Sequence, residues 1–145
     1  MIKEKIAEVI KERIRICEET QDNWGDGIEQ CWQKYIEIIT ADIEKGIAYF
    51  LNGCTDEEFY WLSEAFEEIS EKAQSKDLIA AWRSRLATVT LENYNQQCFR
   101  AEFMRKHITY EEYVKDVNSS IKASMSASEF NSLPSNSRAI SFQRS

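Results

Sequence analysis

One histidine, four cysteines and a dense set of carboxylates are the residues of this 145-residue chain with chemistry to offer. His107 directly follows Arg105 and Lys106. That setting reads as an exposed cation near a helix C-terminus, because a general base needs a positioned partner and none is set beside it. Cys17, Cys31, Cys54 and Cys98 are widely spaced with no C-x-x-C pair, the pattern of reduced, buried thiols rather than of a zinc site or disulfide framework. No H-E-x-x-H, G-x-S-x-G or glycine-rich phosphate loop occurs. Gly25-Asp26-Gly27 is too short and too acidic to cradle phosphate. The carboxylates lack the paired E-x-x-H of a di-iron bundle and the Asp-x-Asp-x-Asp-Gly of a calcium loop. The sequence therefore reads as non-enzymatic, with no cofactor and no metal.

What the carboxylates do form is a surface pattern. On a continuous helix over 56–73, Phe59, Leu62, Phe66, Ile69 and Ala73 make one apolar stripe. Stepping 100° per residue, Glu57, Tyr60, Glu64, Glu67 and Glu71 then share an arc of about 80° facing away from that stripe. Trp61 and Glu68 lie at its margin, and Asp56 joins from the first turn. A tyrosine set among glutamates with only Lys72 to compensate is either a solvated helix face or an interface. In the second case the carboxylates steer a basic partner and the aromatic supplies desolvated contact.

The elements that must position this face are helical. Four glycines and one proline (Pro134) leave little turn chemistry for an all-β fold. Ile2, Ile6, Val9, Ile10, Ile14 and Cys17 predict an amphipathic helix over 2–19, followed by a loop over 20–27. A long helix is expected from Ile28 to Leu51, stopped at Asn52-Gly53. Thr55-Asp56-Glu57-Glu58 is a capping box for the helix carrying the acidic face. Ser75 caps the next, with Leu78, Ile79, Trp82, Leu86 and Val89. The short link between those two predicts an antiparallel hairpin. Thr90 caps a helix over 91–106, and Thr109-Tyr110-Glu111-Glu112 is a second capping box, opening a helix with Tyr113, Val114, Val117 and Ile121. The expectation is a single all-α domain over 1–125, a compact bundle or short stack of about six antiparallel helices. The serine-rich stretch 126–145 is expected to be a disordered tail.

No apolar run approaches the length of a membrane span, and the charged N-terminus does not read as a signal peptide, so the cytoplasm is the expected location. Net charge is −7, but residues 18–71 carry 15 acids against Lys34 and Lys45, a net of −13, while 76–145 carry a net of +3. A field of that sign disfavours nucleic acid and anionic membrane as partners and favours a basic protein.

The run Phe50-Leu51-Asn52-Gly53-Cys54-Thr55-Asp56-Glu57-Glu58-Phe59-Tyr60-Trp61-Leu62-Ser63-Glu64-Ala65-Phe66-Glu67-Glu68-Ile69, continuing through Gln74-Ser75-Lys76, Glu92-Asn93-Tyr94 and Tyr110-Glu111-Glu112-Tyr113, resembles helical immunity proteins of bacterial contact-dependent growth inhibition and related polymorphic toxin systems. The similarity covers about residues 50–118. The serine-rich end departs from the acidic final helix of that family. The resemblance implies a cytoplasmic protein that binds one cognate toxin domain and neutralises it, using the acidic face of Asp56, Glu57, Tyr60, Trp61, Glu64, Glu67, Glu68 and Glu71. Many toxins of such systems are nucleases, so a basic nuclease is the expected toxin, with the inhibitor imitating phosphate charge. The resemblance does not imply which toxin, and an EndoU-like RNase is one expectation within that class. A different class of function, a non-inhibitory helical adaptor or scaffold, fits the same composition.

Overall fold

The computed structural model describes residues 2–20, 22–92, 94, 99–100 and 102–132, with side chains described as far as residue 126. Helix α1 (Ile2–Thr20) buries Ile6, Val9, Ile10, Ile14, Ile16 and Cys17, and one charged residue, Arg13, lies within that buried face. The Thr20 hydroxyl donates to Ile16 O (2.7 Å). Asp22, in the left-handed region at φ 65°, then reverses the chain.

Helix α2 (Gly25–Thr40) starts inside the stretch that the sequence reads as a loop. The glycine at 27 serves proximity rather than turning: a β-carbon there would lie 2.2 Å from the Trp24 ring. The long helix expected from Ile28 to Leu51 is broken after Thr40. The Asp42 side chain accepts from Lys45 N (3.2 Å), capping a new short helix, α3 (Ile43–Ala48), which continues as a π-helical turn over Tyr49–Gly53. Gly46 permits this bend, since a β-carbon would stand 3.1 Å from Ile39 O.

The Thr55 capping box forms as expected, with Glu58 N on Thr55 Oγ1 (3.0 Å) and Thr55 N on Glu58 Oε1 (3.2 Å). It opens α4 (Asp56–Ser63), and α5 (Phe66–Ala73) follows after a two-residue turn. Gln74 at φ 51° ends α5, and the Ser75 hydroxyl caps α6 (Lys76–Ala87) through Leu78 N (3.1 Å). Of the helix expected over 91–106, the described residues show helix only in α7 (Glu102–His107). Leu91 and Glu92 form a turn, and Asn93 and 95–98 lie outside the described residues. The second capping box, at Thr109, opens α8 (Tyr110–Ser132). This helix runs beyond Met125, where the sequence places the start of a tail. The remainder of that stretch, 133–145, lies outside the described residues.

Among the described residues the fold is all-α. Helices α1, α2, α5 and α8 are neighbours in that order, α4 packs against α1 and α8, and α6 lies on α8 and the π turn. The expected α5–α6 hairpin is replaced by a different arrangement, in which both helices take α8 as their main backbone neighbour. Between them Phe66 and Trp82 stack, at 3.9 Å and 5° between planes. Phe50 sits edge-on to Tyr49, Phe59, Phe66 and Trp82, with centroids 5.4 to 6.1 Å away. It is fully buried and ties the π turn to three helices. No helix among the described residues is long and apolar enough to cross a membrane. Truncating a fully packed aromatic leaves a cavity that the surroundings only partly fill. Phe50→Ala should therefore lower the unfolding free energy by about 3–5 kcal/mol in urea titration.

Candidate interaction surface

The sequence places Asp56, Glu57, Tyr60, Trp61, Glu64, Glu67, Glu68 and Glu71 on one surface of one helix. The structure divides both the helix and the set. Helix α4 stops at Ser63, whose hydroxyl donates back to Tyr60 O (2.6 Å). Glu64 and Ala65 form a turn, with Ala65 at φ −112° and ψ 13°. Helical phase restarts at Phe66, so residues on either side of the turn no longer share an arc.

Every residue from Glu57 to Ser63 is buried. Tyr60, expected at the centre of an exposed face, is only 8% exposed. Its ring lies 5.1 Å from both Phe99 and Tyr113, and its hydroxyl donates to Asp116 Oδ2 on α8 (2.7 Å). Burial, and then the adjacent Asp116 carboxylate, raise the phenol's pKa well above its ordinary range. Trp61 is fully buried, with the Arg13 guanidinium 4.8 Å from its ring centroid.

Of the carboxylates of α4 and its turn, Asp56, Glu57 and Glu64 are held by arginines, and Glu58 accepts from the Tyr49 hydroxyl (2.9 Å). The Asp56 side chain accepts from Arg85 Nη2 (2.6 Å). Glu57, buried, accepts from the Arg100 backbone N–H (2.8 Å) and Nε (2.9 Å), and from Trp61 Nε1 (3.4 Å). Glu64 accepts from Arg13 Nε (2.8 Å) and Nη2 (2.6 Å) and from Trp32 Nε1 (3.3 Å). The other side of the same guanidinium holds Asp22 at 2.8 and 3.2 Å. Burial alone would lower the Arg13 pKa, but the hydrogen bonds to Asp22 and Glu64 outweigh it and raise it. Arg13 is the residue that composition and pattern overlook. An arginine inside the apolar arc formed by Val9, Ile10, Ile14 and Cys17 signals a buried carboxylate partner elsewhere in the chain.

The remaining three predicted residues behave differently. Glu67, Glu68 and Glu71 are exposed on α5 and make no ion pair among the described residues. Helix α5 is bordered by α2, whose exposed residues Glu29, Gln33 and Glu37 repeat at the four-residue spacing of one face. The α1 surface is built differently: Arg15 holds Glu12 at 2.5 Å and Glu19 at 2.9 Å, so its charges are satisfied within the helix. The candidate surface is thus the outer side of α5 and its neighbour α2, on which the exposed carboxylates outnumber the exposed lysines Lys34 and Lys72.

No group of three or more potential metal-ligating side chains occurs among the described residues. Cys17 and Cys31 are buried free thiols and Cys54 is a partly buried one, while Cys98 lies outside the described residues. Burial pushes the Cys17 thiol up to about 11. His107 is exposed, with its ring 4.3 Å from Phe103. Comparison with known proteins adds nothing to this geometry: no family model, curated protein or solved structure matches the chain.

Removing one partner of a buried ion pair leaves the other charge uncompensated. Arg13→Ala should cost about 3 kcal/mol of stability in urea titration, whereas Glu67→Gln, on the open face, should change it by less than about 0.5 kcal/mol.

Proposed function

We propose that this chain is an immunity protein of a contact-dependent growth inhibition system, which binds and neutralises a cognate basic toxin domain through the acidic face of α5 and α2. One observation carries the reading: Glu67, Glu68 and Glu71 stand exposed and make no ion pair among the described residues, while Asp56, Glu57 and Glu64 are matched by arginines and Glu58 is held by Tyr49. Carboxylates held apart from internal cations keep their field for an external one. The resemblance over residues 50–118 supports the toxin as the class of partner, and a nuclease within that class, an EndoU-like RNase, presents the basic phosphate-binding surface that this face complements. The cytoplasm is where such a partner would be met. Binding by occlusion needs no cofactor and no catalysis.

In this reading the contact falls to fewer residues than the sequence pattern alone suggests. Tyr60, Trp61, Asp56, Glu57 and Glu64 act behind the face, fixing α4 and the turn that aims α5. Glu67, Glu68 and Glu71, with the exposed Glu29 and Glu37 on the neighbouring α2, meet the partner.

The test is an equimolar mixture with the toxin domain encoded immediately upstream, followed by size exclusion at low salt and a ribonuclease assay. A stable complex with loss of nuclease activity is expected. Glu67→Lys, Glu68→Lys and Glu71→Lys combined should slow association about tenfold and flatten its salt dependence, with unfolding unchanged. Failure to co-elute at low salt overturns the proposal. A complex that leaves the nuclease fully active favours the non-inhibitory adaptor instead.

A further inference from the structure

Two surface features away from the α5 face are complementary to each other. The first is Trp24, 44% exposed at the corner between α1 and α2. One edge of its indole rests on Gly27, so the ring is propped at the surface. Exposed Asp22, Asp26 and Glu29 surround it in sequence, Asp22 already engaged by Arg13. The second is a groove of about 430 Å³ between α6 and α8, lined by Leu86, Val89 and Val114 and by the exposed Arg83, Ala87 and Asn118. Lys115 and Lys122, both exposed, stand three residues before and four after Asn118, hence on its side of α8. The acids nearby are Glu92 and Glu111. Leu91, just beyond the groove, is 69% exposed.

We propose that the Trp24 corner of one copy of this chain docks into the α6–α8 groove of a second copy. The groove is large enough to admit an indole, and a buried tryptophan is the side chain that most often anchors an interface. Charge agrees with that pairing. Around Trp24, Glu8, Glu12, Asp26 and Glu29 outnumber Lys34, and about the groove Arg83, Lys115 and Lys122 outnumber Glu92 and Glu111. The contact joins unlike surfaces, so each copy keeps one unused corner and one unused groove, and association proceeds head to tail. It leaves Glu67, Glu68 and Glu71 uncovered and does not depend on what they bind.

Sedimentation velocity of the full chain, from about 10 µM to 1 mM, reads the association directly. The weight-average mass should rise with concentration. Trp24→Ala should weaken association about tenfold or more. Ala87→Glu, at an exposed groove position, should do the same by filling the groove and repelling the acidic corner. Ala87→Glu should leave the unfolding midpoint unchanged, and Trp24→Ala should lower it only by the loss of the ring's packing on Gly27, leaving the chain folded at the temperature of the experiment. The deciding sample is an equal mixture of the two variants. Trp24→Ala keeps its groove and Ala87→Glu keeps its tryptophan, so the mixture should recover a dimer and stop there. A wild-type chain that stays monomeric throughout, variants that associate normally, or a mixture that recovers nothing would each overturn the proposal.

Discussion

A guanidinium buried where its helix should present only hydrocarbon is the constraint on which the rest of the structure hangs. Arg13 is 1% exposed, and an arginine cannot escape desolvation by losing its proton. Its donors must be met, and they are: Glu64 takes Nε and Nη2 while Asp22 takes Nη1 and Nη2. Those two carboxylates lie on different connections, the α1–α2 reversal and the α4–α5 turn. One side chain therefore fixes where α1 hands over to α2 and where α4 ends. Trp32 adds α2 through its bond to Glu64, and Trp61 closes the assembly as the ring beneath the guanidinium. A lysine would supply the charge without the fork that reaches both carboxylates.

The same constraint explains which parts of the fold were legible in the sequence. Both capping boxes, at Thr55 and Thr109, depend on residues three apart, and both form. The apolar stripe of α1 is likewise local. The turn at Glu64 and Ala65 has no glycine, proline or Asx residue to announce it. It exists because Glu64 is drawn to a cation 51 residues away in the chain. Continuing the helical phase through that turn is what placed Tyr60 among solvated glutamates. Its burial comes from Phe99, Tyr113 and Asp116, none of them local. The break after Thr40 was nearer to hand, since Asp42 is a strong capping residue. Gly27 misled in the opposite direction. Its lack of a β-carbon makes room for Trp24 rather than a turn, and spacing alone does not separate those uses.

Of the candidate site, the part that survives is the part that needed no phase through the turn. Glu67, Glu68 and Glu71 are exposed because α5 buries Phe66, Ile69 and Ser70 on its other side, a pattern readable from α5 alone. Asp56, Glu57 and Glu64 read as surface because acids are rarely buried unless paired. The pairs lie in Arg13, Arg85 and Arg100, outside the acidic window, so no local reading could supply them.

That exchange of partners alters the external field. Fifteen acids lie within 18–71 against Lys34 and Lys45. Asp22, Asp56, Glu57 and Glu64 are engaged by Arg13, Arg85 and Arg100, and Glu19 by Arg15, all four arginines drawn from outside the window. Glu58 is buried and bound by Tyr49, which leaves at most nine. Apart from Arg15 on α1, these arginines screen the carboxylates of the interior, so the outer side of α2 and α5 keeps its carboxylates, offset only by Lys34 and Lys72. Between exposed groups that field extends about 8 Å at physiological ionic strength and farther as salt is lowered. Its geometry, however, is set from within. Helix α5 is only eight residues long, too short to hold its shape alone in water. What aims its glutamates is the turn pinned by Arg13 at one end and the packing on α2 and α8 along its length. The acidic face is therefore preorganised by the buried cation behind it, which makes the interior charge network a condition of the surface one.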